Sequence, residues 1–119
     1  MTTAAQRGDV WWIDLNPTIG AEIQKLRPCV VVSSNAIGKL PLKVIVPLTD
    51  WNPAFENSGW HIPIAASPRN GLAKKSAADT FQVRCLSLNR FSKQAGTLTA
   101  DEMEEISCAL ATVLQIRLN

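Results

Sequence analysis

The stretch RGDVWWIDLNPTIGAEIQKLRPCVVVS, residues 7–33, contains two strand-like runs with a polar segment between them. Residues 9–15, DVWWIDL, combine β-branched and aromatic side chains and end at an Asn-Pro turn signal, which predicts a first strand. After Arg27 comes PCVVVSS, an apolar run whose proline stands at the start, where a strand tolerates it. Residues 18–26 have mixed polarity and no sustained period. This part of the chain therefore predicts two strands joined by a surface loop.

Further strands are predicted downstream. Residues 42–49, LKVIVPLT, form a largely apolar run that ends before a DWNP turn, and they predict a third strand. Residues 60–65, WHIPIA, predict a strand that Pro63 confines to an edge or a bulge. Residues 72–88 are mostly extended in character and predict two short strands with a bend near residues 77–80.

The last segment changes from strand-like to helical. Thr99 and Glu102 have the spacing of a capping box. Apolar side chains follow at helical intervals on one face: Met103, Ile106, Leu110, Val113 and Leu114. Short strands followed by one terminal helix predict a mainly β fold, a small curved antiparallel sheet or partly closed barrel with the helix on one side. We expect a single domain over residues 1–119.

The composition is that of an ordinary globular protein, with 46% hydrophobic and 18% charged residues. The net charge of +2 is slight, so a basic site for a nucleic acid would have to be local. Cys29, Cys85 and Cys108 lack a C-x-x-C spacing and are expected to be reduced core residues. No secretory signal and no window of about 18 apolar residues is present, so we expect a soluble cytoplasmic protein with no membrane partner.

The inventory of reactive groups excludes several kinds of catalysis. The chain has one histidine, His61, and no tyrosine, which excludes a histidine-pair ribonuclease mechanism. We expect His61 to be an ordinary surface or edge residue. No G-x-S-x-G elbow, phosphate-binding loop or dinucleotide fingerprint is present. Five of the carboxylates that precede the helix are separated along the chain with no motif spacing, so no metal site is predicted: Asp14, Glu22, Asp50, Glu56 and Asp79.

Basic side chains in or beside loops remain as candidates for chemistry: Lys25, Arg27, Arg69, Lys74, Lys75, Arg84 and Arg90. For most of them the simplest interpretation is a solvated surface. Arg27 differs, because the proline that follows fixes it between the loop and the buried strand. Taken by itself, Arg27 is interpreted as a surface arginine paired with Glu22, and Thr49 as a strand-end residue that satisfies a turn.

The same residues resemble the signature of MazF/PemK-type toxins. That pattern reads G-D-[V/I]-[W/Y]-x-[V/I]-[D/N]-[L/F]-[D/N]-P-[T/V]-x-G-x-E, then a loop ending in R-P-x-V-[V/L]-[V/L]-S, and residues 7–33 match it at many fixed positions. VIVPLT is similar to the family's strand ending in P-x-T, SAADTFQVRCLSLNRF to its A-D-x-Q-[V/I]-[R/K] segment, and GTLTADEMEEISCALATVL to its closing helix. The resemblance spans nearly the whole chain and is weakest over residues 52–75. Two departures are that GAEIQKLRP lacks the family's second loop glycine, and that Phe81 stands where an acid often precedes the glutamine.

The resemblance implies a small SH3-like barrel of antiparallel strands, of the CcdB/MazF type, that pairs into a homodimer. It also implies an endoribonuclease that cuts single-stranded RNA without metal or other cofactor, leaves 2′,3′-cyclic phosphate and 5′-hydroxyl ends, and is neutralised by a cognate antitoxin. By resemblance the catalytic arginine is Arg27, the catalytic threonine is Thr49 and the loop glutamate is Glu22. The other residues expected to bind RNA are Lys25, Lys74, Lys75, Gln82 and Arg84.

Two alternatives stay open on the sequence. A toxin of the same barrel could instead inhibit DNA gyrase, as CcdB-like members do, although those inhibitors lack the pairing of R-P with P-x-T. A catalytically inactive module that binds RNA or a protein partner is the other alternative. Trp51, just past Thr49, is either a stacking surface for a base or a core residue.

Overall fold

The computed structural model describes residues 5–117 as a seven-stranded antiparallel sheet with one α-helix at its end. Short 3-10 turns lie at Pro53–Phe55, Thr80–Gln82 and Leu88–Arg90. The mainly β fold with a closing helix is thus confirmed. The elements are β1 (Asp9–Asp14), β2 (Leu26–Val31), β3 (Leu42–Asp50), β4 (His61–Ile64), β5 (Ser76–Asp79), β6 (Arg84–Ser87), β7 (Phe91–Thr97) and α1 (Ala100–Val113).

The sheet is organised around β3, its longest strand. The strand order is β4-β5-β3-β2-β1-β7, and β6 also pairs with β3. The start of β3, Leu42 to Ile45, pairs with β6, and its end, Leu48 to Asp50, pairs with β5. β4 lies at the edge of this order, as Pro63 predicts, because a proline cannot donate a hydrogen bond to a further strand.

The central strands are buried on both faces, which explains their continuous apolar runs. Alternate side chains of β1, β2 and β3 point to opposite faces of the sheet. One face forms a cluster with Leu86, Leu88 and Phe91 from β6, β7 and the turn between them. The other forms a cluster with Met103 and Ile106 of α1. The helix therefore covers one side of the sheet, as predicted.

The capping box predicted for α1 is present. Thr99 Oγ1 accepts a hydrogen bond from the backbone N–H of Glu102 at 3.1 Å, and Glu102 Oε1 accepts one from the N–H of Thr99 at 2.8 Å. The buried face consists of Met103, Ile106 and Ala109, while Leu110 is half-buried. Including Leu114 in that face was wrong, because the helix ends at Val113 and the Leu114 side chain is 55% exposed.

Three other expectations need correction. β2 begins at Leu26 instead of after Arg27, so the arginine belongs to the strand, paired across from Ile13. β7 was not predicted at all. Of the three cysteines, all of them free thiols, only Cys29 is a core residue, whereas Cys85 and Cys108 are exposed on β6 and α1.

Across residues 5–117, no helix has the length and apolar character needed to cross a membrane.

Candidate active site

A cleft opens where β2 and β3 separate. The pairing of these strands ends with Cys29 opposite Pro47, and from Leu48 onwards β3 pairs with β5. Pro28 and Pro47 both lack a backbone N–H, so neither residue can donate a hydrogen bond that would continue the pairing of β2 with β3. The resulting cleft has a volume of roughly 260 Å³ and is lined by Trp12, Ser76 and residues 25–28, 48–50 and 71–74.

Arg27 and Thr49 are both half-buried and both line this cleft. They occupy equivalent positions on the two strands, each two residues beyond the last pair, Cys29 opposite Pro47. Arg27 Nε donates to the carbonyl oxygen of Gln24 at 3.2 Å, which anchors the base of the guanidinium against the preceding loop. A planar cation and a hydroxyl therefore face one concave space, an arrangement suited to binding a phosphate.

The loop that precedes β2 is held by its own polar groups. Glu22 Oε1 accepts a hydrogen bond from the N–H of Ile19 at 2.7 Å. Asn16 Oδ1 accepts from the N–H of Lys25 at 3.2 Å, and Lys25 has a left-handed backbone conformation with φ of 75°. Within the described part of the chain Arg27 and Glu22 form no ion pair, so the interpretation of Arg27 as the partner of Glu22 was wrong.

Gln82 fastens this loop to the body of the protein. Its Oε1 accepts from the N–H of Ile23 at 2.6 Å, and its Nε2 donates to the carbonyl oxygen of Ala21 at 3.1 Å. The two bonds bracket Glu22, so one side chain from the turn before β6 fixes the position of the loop glutamate. Both polar atoms of the Gln82 amide are thus engaged within the chain.

Arg84 and Arg90 hold the other end of the same loop. Arg84 Nη1 donates to the carbonyl oxygen of Leu15 at 3.1 Å, and Arg90 Nη1 donates to the carbonyl oxygens of Asp14 and Asn16. A charged donor makes a stronger bond to a carbonyl than a neutral donor does. The loop therefore leaves β1 in a fixed direction.

Cys29 is buried close enough to Arg84 and Arg27 to feel their charges, and its thiol stays protonated. Burial raises the pKa of Cys29 to about 12, while the positive charges of Arg84 and Arg27 and a backbone hydrogen bond at Leu48 oppose that rise. A thiol with so high a pKa is a poor nucleophile at neutral pH. Cys29 therefore belongs to the hydrophobic core next to the site and takes no chemical part.

The two neighbouring lysines are placed differently. Lys74 lines the cleft and forms an exposed ion pair with Asp50, Nζ to Oδ2 at 3.0 Å. Lys75 lies with its Nζ 4.5 Å from the centre of the Trp51 ring. Trp51 also contacts Phe55 edge to face, with the ring centres 5.9 Å apart, so it is half-buried beneath a cation.

The predicted residues thus divide between two clefts that adjoin the same loop. Arg27, Thr49, Lys25 and Lys74 line the first, and Lys75 does not. The second has a volume of roughly 320 Å³ and is lined by Ala21, Glu22, Phe81, Gln82, Val83 and Arg84.

Two aromatic residues at these clefts were not predicted as site residues, Trp12 and Phe81. Trp12 follows Trp11, which is in the core, so strand alternation already indicates that its ring lies on the opposite face. Phe81 has no alternation to indicate its exposure, because it lies in a short 3-10 turn, and its one signal in the sequence is the departure noted above.

His61 lies on the edge strand, as expected, but its side chain is buried. Its Nδ1 is 2.7 Å from Ser58 Oγ, its Nε2 is 3.5 Å from Asp79 Oδ2, and its ring stacks on Phe55 with centres 3.8 Å apart. Ser58 Oγ also accepts from two backbone N–H groups, those of Trp60 and His61. The histidine lines neither cleft, and these contacts fasten the segment before β4 to β5.

Residues 5–117 contain no group of three or more histidine, cysteine, aspartate or glutamate side chains arranged to hold a metal ion.

Comparison with known proteins gives concordant results. The family model of the PemK-like, MazF-like toxins of type II toxin–antitoxin systems matches residues 6–114. An endoribonuclease MazF from Staphylococcus saprophyticus is 30% identical over 88% of this chain and 87% of its own length. The endoribonuclease MazF9 of Mycobacterium tuberculosis is 25% identical over 93% of this chain and 97% of its own length.

Solved structures share the fold. The crystal structure of MazF from Deinococcus radiodurans superposes with a TM-score of 0.79 at 22% identity, covering 93% of this chain and 96% of that one. A mycobacterial endoribonuclease in complex with its cognate antitoxin superposes with a TM-score of 0.75 at 23% identity, covering 98% of this chain and 100% of that one. At these identities the structural likeness establishes the fold alone.

Proposed function

We propose, from the premise that the chain belongs to the PemK-like, MazF-like toxins of type II toxin–antitoxin systems, that it is an endoribonuclease cutting single-stranded RNA in the cleft between β2 and β3. The observation that carries this proposal is that Arg27 and Thr49 occupy equivalent positions on the two strands and line one cleft. Its relatives from Staphylococcus and Mycobacterium bear the name of endoribonucleases. The activity assigned to them is thereby extended to this chain.

The reaction is a transesterification within the RNA. The 2′-oxygen forms a bond to the adjacent phosphorus while the bond to the 5′-oxygen breaks, which gives a 2′,3′-cyclic phosphate and a 5′-hydroxyl. The 2′-hydroxyl gives up its proton and the leaving oxygen gains one. Negative charge grows on the phosphoryl oxygens in the transition state, and a donor held in place stabilises that charge.

Arg27 supplies the principal donor for this charge. Its guanidinium is planar, permanently charged and able to make two parallel bonds to phosphate oxygens. A permanently charged guanidinium is a poor proton acceptor, so charge stabilisation is its first role and acid or base work only its second. The Thr49 hydroxyl adds a hydrogen bond to the same phosphate.

The surrounding cations attract and orient the RNA backbone. Lys25 and Lys74 line the cleft itself. Lys75 follows Lys74 in the chain, and its Nζ lies over the Trp51 ring. Glu22, Gln82 and Arg84 belong to the second cleft, where RNA continues along the loop. Gln82 and Arg84 contribute there by holding the loop through the bonds described above, in addition to any contact with RNA. Unpaired bases suit this surface, because RNA-reading sites engage splayed, unstacked bases.

The same family membership supports three further elements of the proposal. The chain acts as a homodimer, it is neutralised by a cognate antitoxin, and it works in the cytoplasm, where messenger RNA is found. The mycobacterial relative described in complex with its antitoxin supports the second element. The reaction needs neither metal nor cofactor, because a fixed cation and a hydroxyl already provide charge stabilisation at the phosphate.

The test is cleavage of a long, defined RNA by the purified protein in excess EDTA, followed by analysis of the new ends. We expect internal cuts that leave cyclic phosphate and 5′-hydroxyl ends. Complete dependence on added metal, or 5′-phosphate ends, would contradict the proposed chemistry. Intact RNA together with inhibition of gyrase supercoiling would identify a CcdB-like toxin, and RNA binding without cleavage an inactive binding module.

A further inference from the structure

Phe81 presents an aromatic ring to solvent from a fixed position. Its side chain is 68% exposed, although it lies in the short turn Thr80–Gln82 between two strands. The turn is held at both ends: the N–H of Phe81 donates to Asp79 Oδ1 at 3.2 Å, and Gln82 is bonded to the loop before β2. The ring is therefore displayed by ordered backbone.

One neighbour of the ring is another aromatic side chain. Trp60 lies with its ring centre 5.9 Å from that of Phe81, at an interplanar angle of 59°, a favourable tilted contact. Phe81 also lines the second cleft, opposite Glu22 and Arg84. The phenyl ring is thus supported by Trp60 and still open towards a cavity beside the loop.

Several polar atoms in this cleft already bind the loop. Both amide atoms of Gln82 bind the loop, Arg84 Nη1 binds the carbonyl oxygen of Leu15, and Glu22 Oε1 binds the N–H of Ile19. A ligand that gained affinity by hydrogen bonding to these atoms would have to displace the bonds that order the loop. Contact with the exposed ring of Phe81 carries no such cost.

We propose that Phe81 is a stacking platform for an unpaired nucleobase of the RNA substrate, adjacent to the scissile phosphate. This rests on the proposed function, and it names the group that binds a base in the second cleft. The loop joins this cleft to the one that contains Arg27, so one RNA strand can follow it through both. The excess of cations in the adjoining cleft, from Lys25, Arg27 and Lys74, favours a nucleic acid over an apolar peptide.

Stacking has a consequence for specificity. Every base has an aromatic face, so a stacking site tolerates any base, whereas a carboxylate reads particular hydrogen-bond donors. We therefore expect this chain to accept any base at the nucleotide that contacts Phe81, with affinity set by ring contact.

The experiment measures binding separately from cleavage. Fluorescence anisotropy is recorded with 2′-O-methyl oligonucleotides of eight uridines or eight adenosines, which cannot be cut because the attacking hydroxyl is blocked. The variants are Phe81→Ala and Phe81→Trp. The control is Ile37→Ala, which removes a side chain that is 73% exposed in the loop joining β2 to β3, at the opposite end of both strands from the cleft.

We expect Phe81→Ala to weaken binding of both oligonucleotides by roughly 5- to 150-fold, the range of one base–aromatic stack, and Phe81→Trp to restore it. Ile37→Ala should bind like the parent protein. Parent-like binding by Phe81→Ala, a loss confined to one base, or a loss that accompanies dissociation of the oligomer in sedimentation would each overturn the proposal. If the parent protein binds these oligonucleotides through Phe81 but leaves ordinary RNA intact, the proposed cleavage fails while the stacking site stands.

Discussion

Gln82 and Ile23, 59 positions apart in the chain, are joined by a hydrogen bond of 2.6 Å between the Gln82 Oε1 atom and the Ile23 N–H. With the second bond, from Nε2 to the carbonyl oxygen of Ala21, it makes Gln82 the residue that positions the loop before β2. Arg27 is the second residue of the strand that follows that loop. A side chain outside the cleft between β2 and β3 thereby bears on the geometry of that cleft.

We predict that Gln82→Ala slows RNA cleavage by roughly tenfold to thirtyfold, because two hydrogen bonds of about 1 kcal/mol each no longer order the loop. Hydrogen exchange at the Ile23 amide should accelerate in the same variant. The matched control is Gln94→Ala, since Gln94 is exposed and its Nε2 bonds only to Gly96 within its own strand. Slow cleavage with unchanged Ile23 exchange would show that Gln82 acts on RNA directly and not through the loop.

We predict that two of the three thiols react with a thiol reagent at pH 8 in the folded protein. Cys85 and Cys108 are exposed, whereas Cys29 is buried with its pKa raised from 9.0 to about 12. All three should react in guanidinium chloride. Modification of Cys29 at the rate of the other two, mapped by mass spectrometry, would contradict the placement of this residue.

The same pKa predicts how stability depends on pH. Folding raises the Cys29 pKa, so between pH 9 and 12 the unfolded chain loses a proton that the folded chain keeps. The stabilisation from the neutral buried thiol is complete below pH 9 and declines as pH rises towards 12. In Cys29→Ala, the free energy of unfolding should lack this part of the decline at alkaline pH. Identical pH profiles for the variant and the parent protein would contradict the raised pKa of Cys29.

We predict that Thr99→Ala lowers the free energy of unfolding by about 1 kcal/mol, because it removes the acceptor that satisfies the N–H of Glu102 at the start of α1. Urea unfolding measures the change. Thr99→Ser keeps the hydroxyl and should stay within a few tenths of the parent value. Equal destabilisation by both substitutions would assign the effect to the lost methyl group instead.

The elements predicted correctly are those whose pattern is local. Patterns only a few residues long predict β1, β2, the apolar run of β3 and the cap at Thr99. β7 does not, because FSKQAGT is mostly polar and contains a glycine. Gly96 is there because a Cβ at this position would overlap the backbone of Arg69 and Asn70, a contact that only the folded chain creates.

The placement of Arg27 and Thr49 in one cleft was predictable only as far as the strands that carry them were predictable. Arg27 and Thr49 are marked by the residues around them, but their meeting depends on the register in which Cys29 faces Pro47. The loop contacts of Gln82 and Arg84 join positions more than 50 residues apart, and nothing in the local pattern indicates them. Cys85 and Cys108 were expected to be core residues, but the faces of β6 and α1 on which they lie are exposed.

The role of Arg27 is tested by the single-turnover rate of RNA cleavage: Arg27→Ala is compared with the parent protein in EDTA at equal folded concentration. Loss of one fixed donor to the transition state costs on the order of 10²–10³ in rate, about 3–4 kcal/mol. We predict a loss at least that large with unchanged circular dichroism and thermal midpoint, and a smaller loss for Thr49→Val. Cleavage by Arg27→Ala at the parent rate would contradict the central role given to this cleft.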